Sequence, residues 1–136
     1  MSPAQGSLFN ALVRTHHITS RKKVANLKKA ADNYDVYALL RSGGCPGIMY
    51  CSGNEDGVRE WVAAVHRLRY KDFQLAARPA LAEPQNAAAQ TAPSKKTKEP
   101  RGLHEVDTVK EFGAIMEQRG VLSWWRKGMG YEKPDD

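Results

Sequence analysis

Asn54 opens the stretch that most restricts what this chain can fold into. After it, Val58, Trp61, Val62, Val65 and Leu68 fall at i, i+3, i+4, i+7 and i+10, one apolar stripe of a helix, and asparagine is a favoured helix cap. A helix apolar on one stripe must lay that stripe on another element. The segments around it read as strands. In "SLFNALVRTHHI", Phe9, Ala11 and Val13 point one way while Leu12, Arg14 and His16 point the other. "DVYALLRSGGCPGIMYCSG" predicts strands over Val36 to Arg41 and Ile48 to Cys51, because "GGCPG" between them forbids regular structure. "FQLAARPAL" supplies a fourth strand, ending at Pro79.

A second helix belongs between the first two strands. Ser20 caps it, and Val24, Leu27, Ala31 and Tyr34 form a thin inner stripe with lysines opposite. The resulting order is strand, helix, strand, strand, helix, strand, which predicts an α+β fold of ferredoxin-like βαββαβ type. Two helices would cover one face of an antiparallel sheet and leave the other face open. Downstream, order resumes at "LHEV", and Thr108 with Glu111 makes a capping box ahead of Phe112, Ile115 and Met116. Gly120 stops that helix, and "VLSWWRKGMGY" reads as a short amphipathic piece folding back on the body. These last elements form a C-terminal helical extension.

A length of 136 residues and a hydrophobic content of 41% supply one core, so one domain with tails is expected. Between Pro79 and Gly102 lie four of the seven prolines, an alanine-glutamine stretch and "SKKTK", with no apolar period. The predicted organisation is a tail over 1–7, one domain made of 8–83 and 102–131, a disordered loop over 84–101, and a tail over 132–136. No stretch approaches the roughly 20 apolar residues of a membrane span, and the first 14 residues lack the pattern of a signal peptide. An intracellular protein, nuclear or cytoplasmic, without a membrane partner is expected. Cys45 and Cys51 are too few and too close for a disulfide framework, which predicts reduced thiols.

The net charge of +6 is unevenly spread. No acid precedes Asp32, while Arg14, Arg21, Lys22, Lys23, Lys28 and Lys29 all lie in that leading third. Arg59, Arg67, Arg69 and Lys71 form a second basic group, and Lys95, Lys96 and Lys98 a third in the loop. Such clustering favours a polyanionic partner.

"THHITSRKK" sharpens the question. On a strand, neighbouring side chains alternate faces, so His16 and His17 are expected to point apart and not to share a metal. His66, His104, Cys45 and Cys51 stand at no recognised ligand spacing. No metal, no cofactor and no catalytic residue is expected, since nothing marks either cysteine as an activated nucleophile. With Phe9, Ala11 and Val13 facing the helices, Arg14 and His16 would project from the open face, Lys22 and Lys23 would stand at the adjacent helix start, and Tyr50 would join from the neighbouring strand. Cations for phosphates beside flat rings for stacking make a nucleic-acid surface. Against this stands an ordinary solvated basic face. Trp61 belongs to the core, and of Trp124 and Trp125 one is expected in the core and one at a partner-docking patch.

In order along the chain, "HHI" before a basic helix, "GGCPGIMYCSG", "EWVAAVHRLRYKDF" and "HEVDTVKEFGAIMEQRGVLSWW" resemble the carboxy-terminal domain of the spliceosomal small nuclear ribonucleoprotein Prp-three. They are also similar to the matching domain that follows RWD modules. The resemblance covers about residues 12 to 73 and 103 to 127. It departs at Cys51-Ser52-Gly53, where the family has a Val-Glu-Gly-like sequence, and at Tyr70, where tryptophan is common. It implies the ferredoxin-like fold and, for the splicing relative, binding of structured RNA within a ribonucleoprotein. The leading expectation is therefore a noncatalytic, RNA-binding or ribonucleoprotein-associated protein. The alternative is a protein-interaction module of the RWD-linked type that touches no nucleic acid.

Overall fold

A computed structural model describes residues 8–82 and 101–131. The tails expected at 1–7 and 132–136 lie outside the described residues. So does the loop expected at 84–101, apart from Arg101, and with it Lys95, Lys96 and Lys98. The described residues form a mixed α+β structure with a five-stranded sheet and four helices. In order these are β1 (Phe9–Thr15), α1 (Arg21–Tyr34), β2 (Tyr37–Arg41), β3 (Gly47–Gly53), α2 (Glu55–Arg67), β4 (Gln74–Leu81), β5 (Gly102–Val106), α3 (Val109–Gln118) and α4 (Leu122–Met129).

Side-chain caps start three of the helices. Ser20 accepts from the Lys23 amide at 3.2 Å, and Asn54 accepts from the Gly57 amide at 2.7 Å. Thr108 accepts from the Glu111 amide at 3.0 Å while the Glu111 carboxylate accepts from the Thr108 amide at 3.1 Å. Those backbone donors hold the Glu111 carboxyl below the usual carboxylate range, with the Thr108 amide first and the Asp107 amide second.

The sheet runs β4-β1-β3-β2-β5. β3 pairs antiparallel with β1 and β2, β4 pairs antiparallel with β1, and β5 adds parallel to β2. β4 runs on through Pro79 rather than ending there. Asn10 faces Ala80 and Leu12 faces Ala77, so β4 spends one extra residue on that span, and the bulge at an edge strand tolerates a residue with no amide hydrogen. β5 is a fifth strand that the sequence reading did not separate from the extension behind it.

The expectation of an open sheet face is overturned. On one face, Ala11, Val13, Ala38, Leu40, Met49 and Cys51 pack beneath α1 and α2. On the other, Leu12, Tyr37, Leu39, Ile48 and Tyr50 pack beneath Phe112 and Met116 of α3 and Trp125 and Met129 of α4. Every residue of β3 is buried, the pattern of a strand covered on both sides. The cause is plain in hindsight: the second face is as apolar as the first and needs a cover, and α3 and α4 provide it. Gly128 lets α4 come close, since a β-carbon there would stand 2.8 Å from the Leu12 side chain. In the first core, Trp61 is fully buried and its indole donates to the Leu27 carbonyl at 3.1 Å, tying α2 to α1.

Candidate nucleic-acid interface

α1 and α2 lie side by side in opposite directions, which the contacts at each end establish. Tyr34, the last residue of α1, is so near the start of α2 that a β-carbon on Gly57 would stand 2.6 Å from its carbonyl oxygen. At the other end the Lys23 ammonium sits 4.9 Å above the ring of Tyr70, just past α2, and the His16 amide donates to the Lys71 carbonyl at 2.9 Å. The start of α1 therefore meets the end of α2, and charge is sorted along this axis.

One pole gathers Lys22, Lys23, Arg67, Arg69 and Lys71; all are exposed except Lys23, which is half-buried. The other pole gathers exposed Asp32, Asp35, Glu55 and Asp56. There Arg101 reaches Asp35 at 2.6 Å and Arg59 reaches Glu55 at 2.8 Å. Between the helices runs a shallow groove of about 250 Å³ lined by Asn26, Lys29, Asn33, Ala64 and Arg67 among others.

Arg21, at the start of α1, is turned to a structural task. Its guanidinium grips both oxygens of Glu105 on β5, at 2.7 and 3.1 Å, and Ser42 donates to the same carboxylate at 2.7 Å. The Arg21 bond, aided by Ser42, holds the Glu105 carboxyl below its ordinary range, and Glu105 in turn raises Arg21. Burial pushes the Tyr70 hydroxyl up to about 12. Its ring serves as a platform beneath Lys23.

The structure separates the residues that the sequence grouped. Arg14 lies on the α4 side of the sheet, where its guanidinium donates to the Met129 carbonyl at 3.5 Å, away from Lys22 and Lys23. Tyr50 is 2% exposed. Its hydroxyl accepts from Asn10 at 3.3 Å and its ring meets Trp124 edge-on at 5.7 Å, so no base can stack on it. Trp125 is a core residue, stacked on Phe112 with ring centres 5.7 Å apart, while Trp124 is half-buried. The tryptophan expected in the core is thus Trp125, 4% exposed, and a docking role does not fall to it.

His16 and His17 do not point apart. β1 ends at Thr15, so strand alternation no longer governs them, and their rings meet edge-on with centres 4.1 Å apart. Arg67, Arg69 and Lys71, with Tyr70 beneath Lys23, are the residues of this pole that sequence reasoning passed over as site residues. The signal was present in "RLRYK", but nothing in one dimension says that it folds back beside Lys22 and Lys23.

A scan against protein-family models finds no match for the chain, and a search of curated proteins finds none either. Among the described residues no helix is long and apolar enough to cross a membrane.

Proposed function

We propose that this chain is a noncatalytic RNA-binding domain, a ferredoxin-like unit with an added parallel strand, that takes hold of phosphates with the basic pole where α1 begins and α2 ends. The observation that carries the reading is the charge on α1. A helix start is electrically positive and favours acids, yet α1 has no acid in its first turn and opens with Arg21, Lys22 and Lys23. Its last turn holds no base and is followed by Asp35. Both ends oppose the helix dipole, an arrangement that works against stability and favours an arriving anion, for which the amides and lysines at a helix start are a ready site.

Phosphate contact here is a matter of position rather than of sequence readout, since both faces of the sheet are covered. An A-form duplex, read by shape and backbone, suits such a surface. The resemblance to the Prp-three carboxy-terminal domain points to the same class of partner. A protein-interaction role has one feature in its favour, the edge of β4, unpaired among the described residues, where Leu75 and Leu81 are 42% and 54% exposed.

Filter-binding titrations of an RNA duplex at several salt concentrations test the proposal. Changing Lys22 and Lys23 to glutamine should weaken binding about equally for different sequences and lower the salt slope by about one unit per lost phosphate contact. Unchanged affinity in the double variant would sink it and favour the β4 edge.

A further inference from the structure

Beside the basic pole, three side chains converge whose chemistry has nothing to do with phosphate. The Cys45 sulfur lies 3.9 Å from His16 Nδ1, and one donor atom each from His16, His17 and Cys45 all fall within 4.8 Å of one another. Asp72 places its Oδ2 3.5 Å from the same His16 nitrogen. Two loops that are distant in sequence bring these groups together.

Backbone bonds fix the loops. The His16 amide donates to the Lys71 carbonyl, which sets the Asp72 turn against the end of β1, and the Gly47 amide donates to the His16 carbonyl at 3.2 Å, which sets the Cys45 loop there too. The Thr15 hydroxyl donates to the His17 carbonyl at 3.3 Å, and Ile18, 1% exposed, pins the segment just beyond.

We propose that His16, His17 and Cys45 form a binding site for a borderline-soft divalent ion of the zinc type, with Asp72 or water in the fourth position. Two imidazoles and a thiolate are a donor set that suits zinc and excludes calcium and magnesium, which take oxygen. In a tetrahedral zinc site with bonds of about 2.0–2.3 Å, neighbouring donor atoms lie roughly 3.3–3.8 Å apart. The His16–Cys45 distance of 3.9 Å already approaches that spacing, and all three donor atoms stand within 4.8 Å of one another. Charge is balanced as well: thiolate and carboxylate offset the two positive charges of the ion beside a cationic surface. Binding would tie the β2–β3 loop to the end of β1. The inference stands independently of the RNA proposal.

Cobalt(II) and zinc(II) titrations of the full chain under reducing conditions decide it. Cobalt should bind one ion per chain and give the near-ultraviolet charge-transfer band of a thiolate ligand, displaced by zinc. The band should vanish in Cys45→Ser and persist in Cys51→Ala, because Cys51 is buried in the first core. His16→Ala and His17→Ala should each lower zinc affinity at least tenfold, measured by competition with a chromogenic chelator, with far-ultraviolet circular dichroism unchanged. Should Cys51→Ala not fold, Cys45→Ser against the unaltered chain carries the same comparison. A band that survives Cys45→Ser, zinc affinity in both histidine variants equal to that of the unaltered chain, or an ion found only between two chains by sedimentation would each overturn the site.

Discussion

α1 and α2 share one core and one layer, yet they carry charge in opposite senses. α2 opens with Glu55 and Asp56 and closes with His66 and Arg67, each on the end where the helix dipole favours it. α1 does the reverse at both ends. The buried stripes differ too, with Trp61 and three valines buried in α2 against Val24, Leu27 and Ala31 in α1. α2 is thus built as the anchor of its layer, and α1 presents charge that its own stability does not call for. Under the proposed function, that contrast singles out α1 as the helix that meets the partner.

The contrast breaks most visibly at its apolar root. Trp61→Ala should cost about 3–5 kcal/mol in denaturant unfolding, since it empties a large site and removes the indole bond that ties α2 to α1. A cost under 1 kcal/mol would mean that α2 is not the anchor.

Next in size, Thr108→Ala should cost about 1 kcal/mol, because the capping box is the sole side-chain cap on α3. As α3 covers the second face, its loss should loosen the sheet on the side away from α1 and α2. Amide exchange would report this as faster exchange in α3 than in α2.

A charge exchange sharpens the comparison directly. Lys22→Glu should raise stability by about 0.3–1 kcal/mol while weakening binding to duplex RNA, and Asp56→Lys should lower stability by a similar amount. Opposite signs in the two helices, read by chemical denaturation, are the expected result. The same sign in both would remove the dipole as the explanation.

The smallest effect is in pH dependence. The folded Glu105 carboxyl titrates below its ordinary value, held there chiefly by Arg21. Its contribution is therefore fully present above the unfolded carboxylate range and is lost as pH falls through the folded value. Glu105→Gln should flatten the stability profile in that acidic window and leave the slope above it unchanged. An identical acid profile in the variant would show that the Arg21 bond carries no differential stability.

Local signals were legible along much of the chain. The Asn54 cap and its apolar stripe, the Ser20 cap and the Thr108–Glu111 box all act within four residues, so one dimension contains them. The inward set Phe9, Ala11 and Val13 was legible for the same reason, because strand alternation is a property of neighbours. β5 was not, since five residues of modest strand character become a strand only when Tyr37 to Arg41 offer an edge to pair with.

Sequence by itself determined which residues are apolar, which ends are capped, and that cations crowd the first third. Only the tertiary structure decided that Tyr50 and Trp125 are buried against a second layer, that Arg14 and Lys22 stand on opposite sides of the sheet, and that Arg69 and Lys71 join Lys22. It also brought Cys45 to within 4.8 Å of two histidines nearly thirty residues away. The reason is that periodicity names the two faces of a strand but not what covers them. Covering is settled by whichever distant segment buries the most apolar surface there, and the positions of charges and of the histidine and cysteine donors follow from that packing.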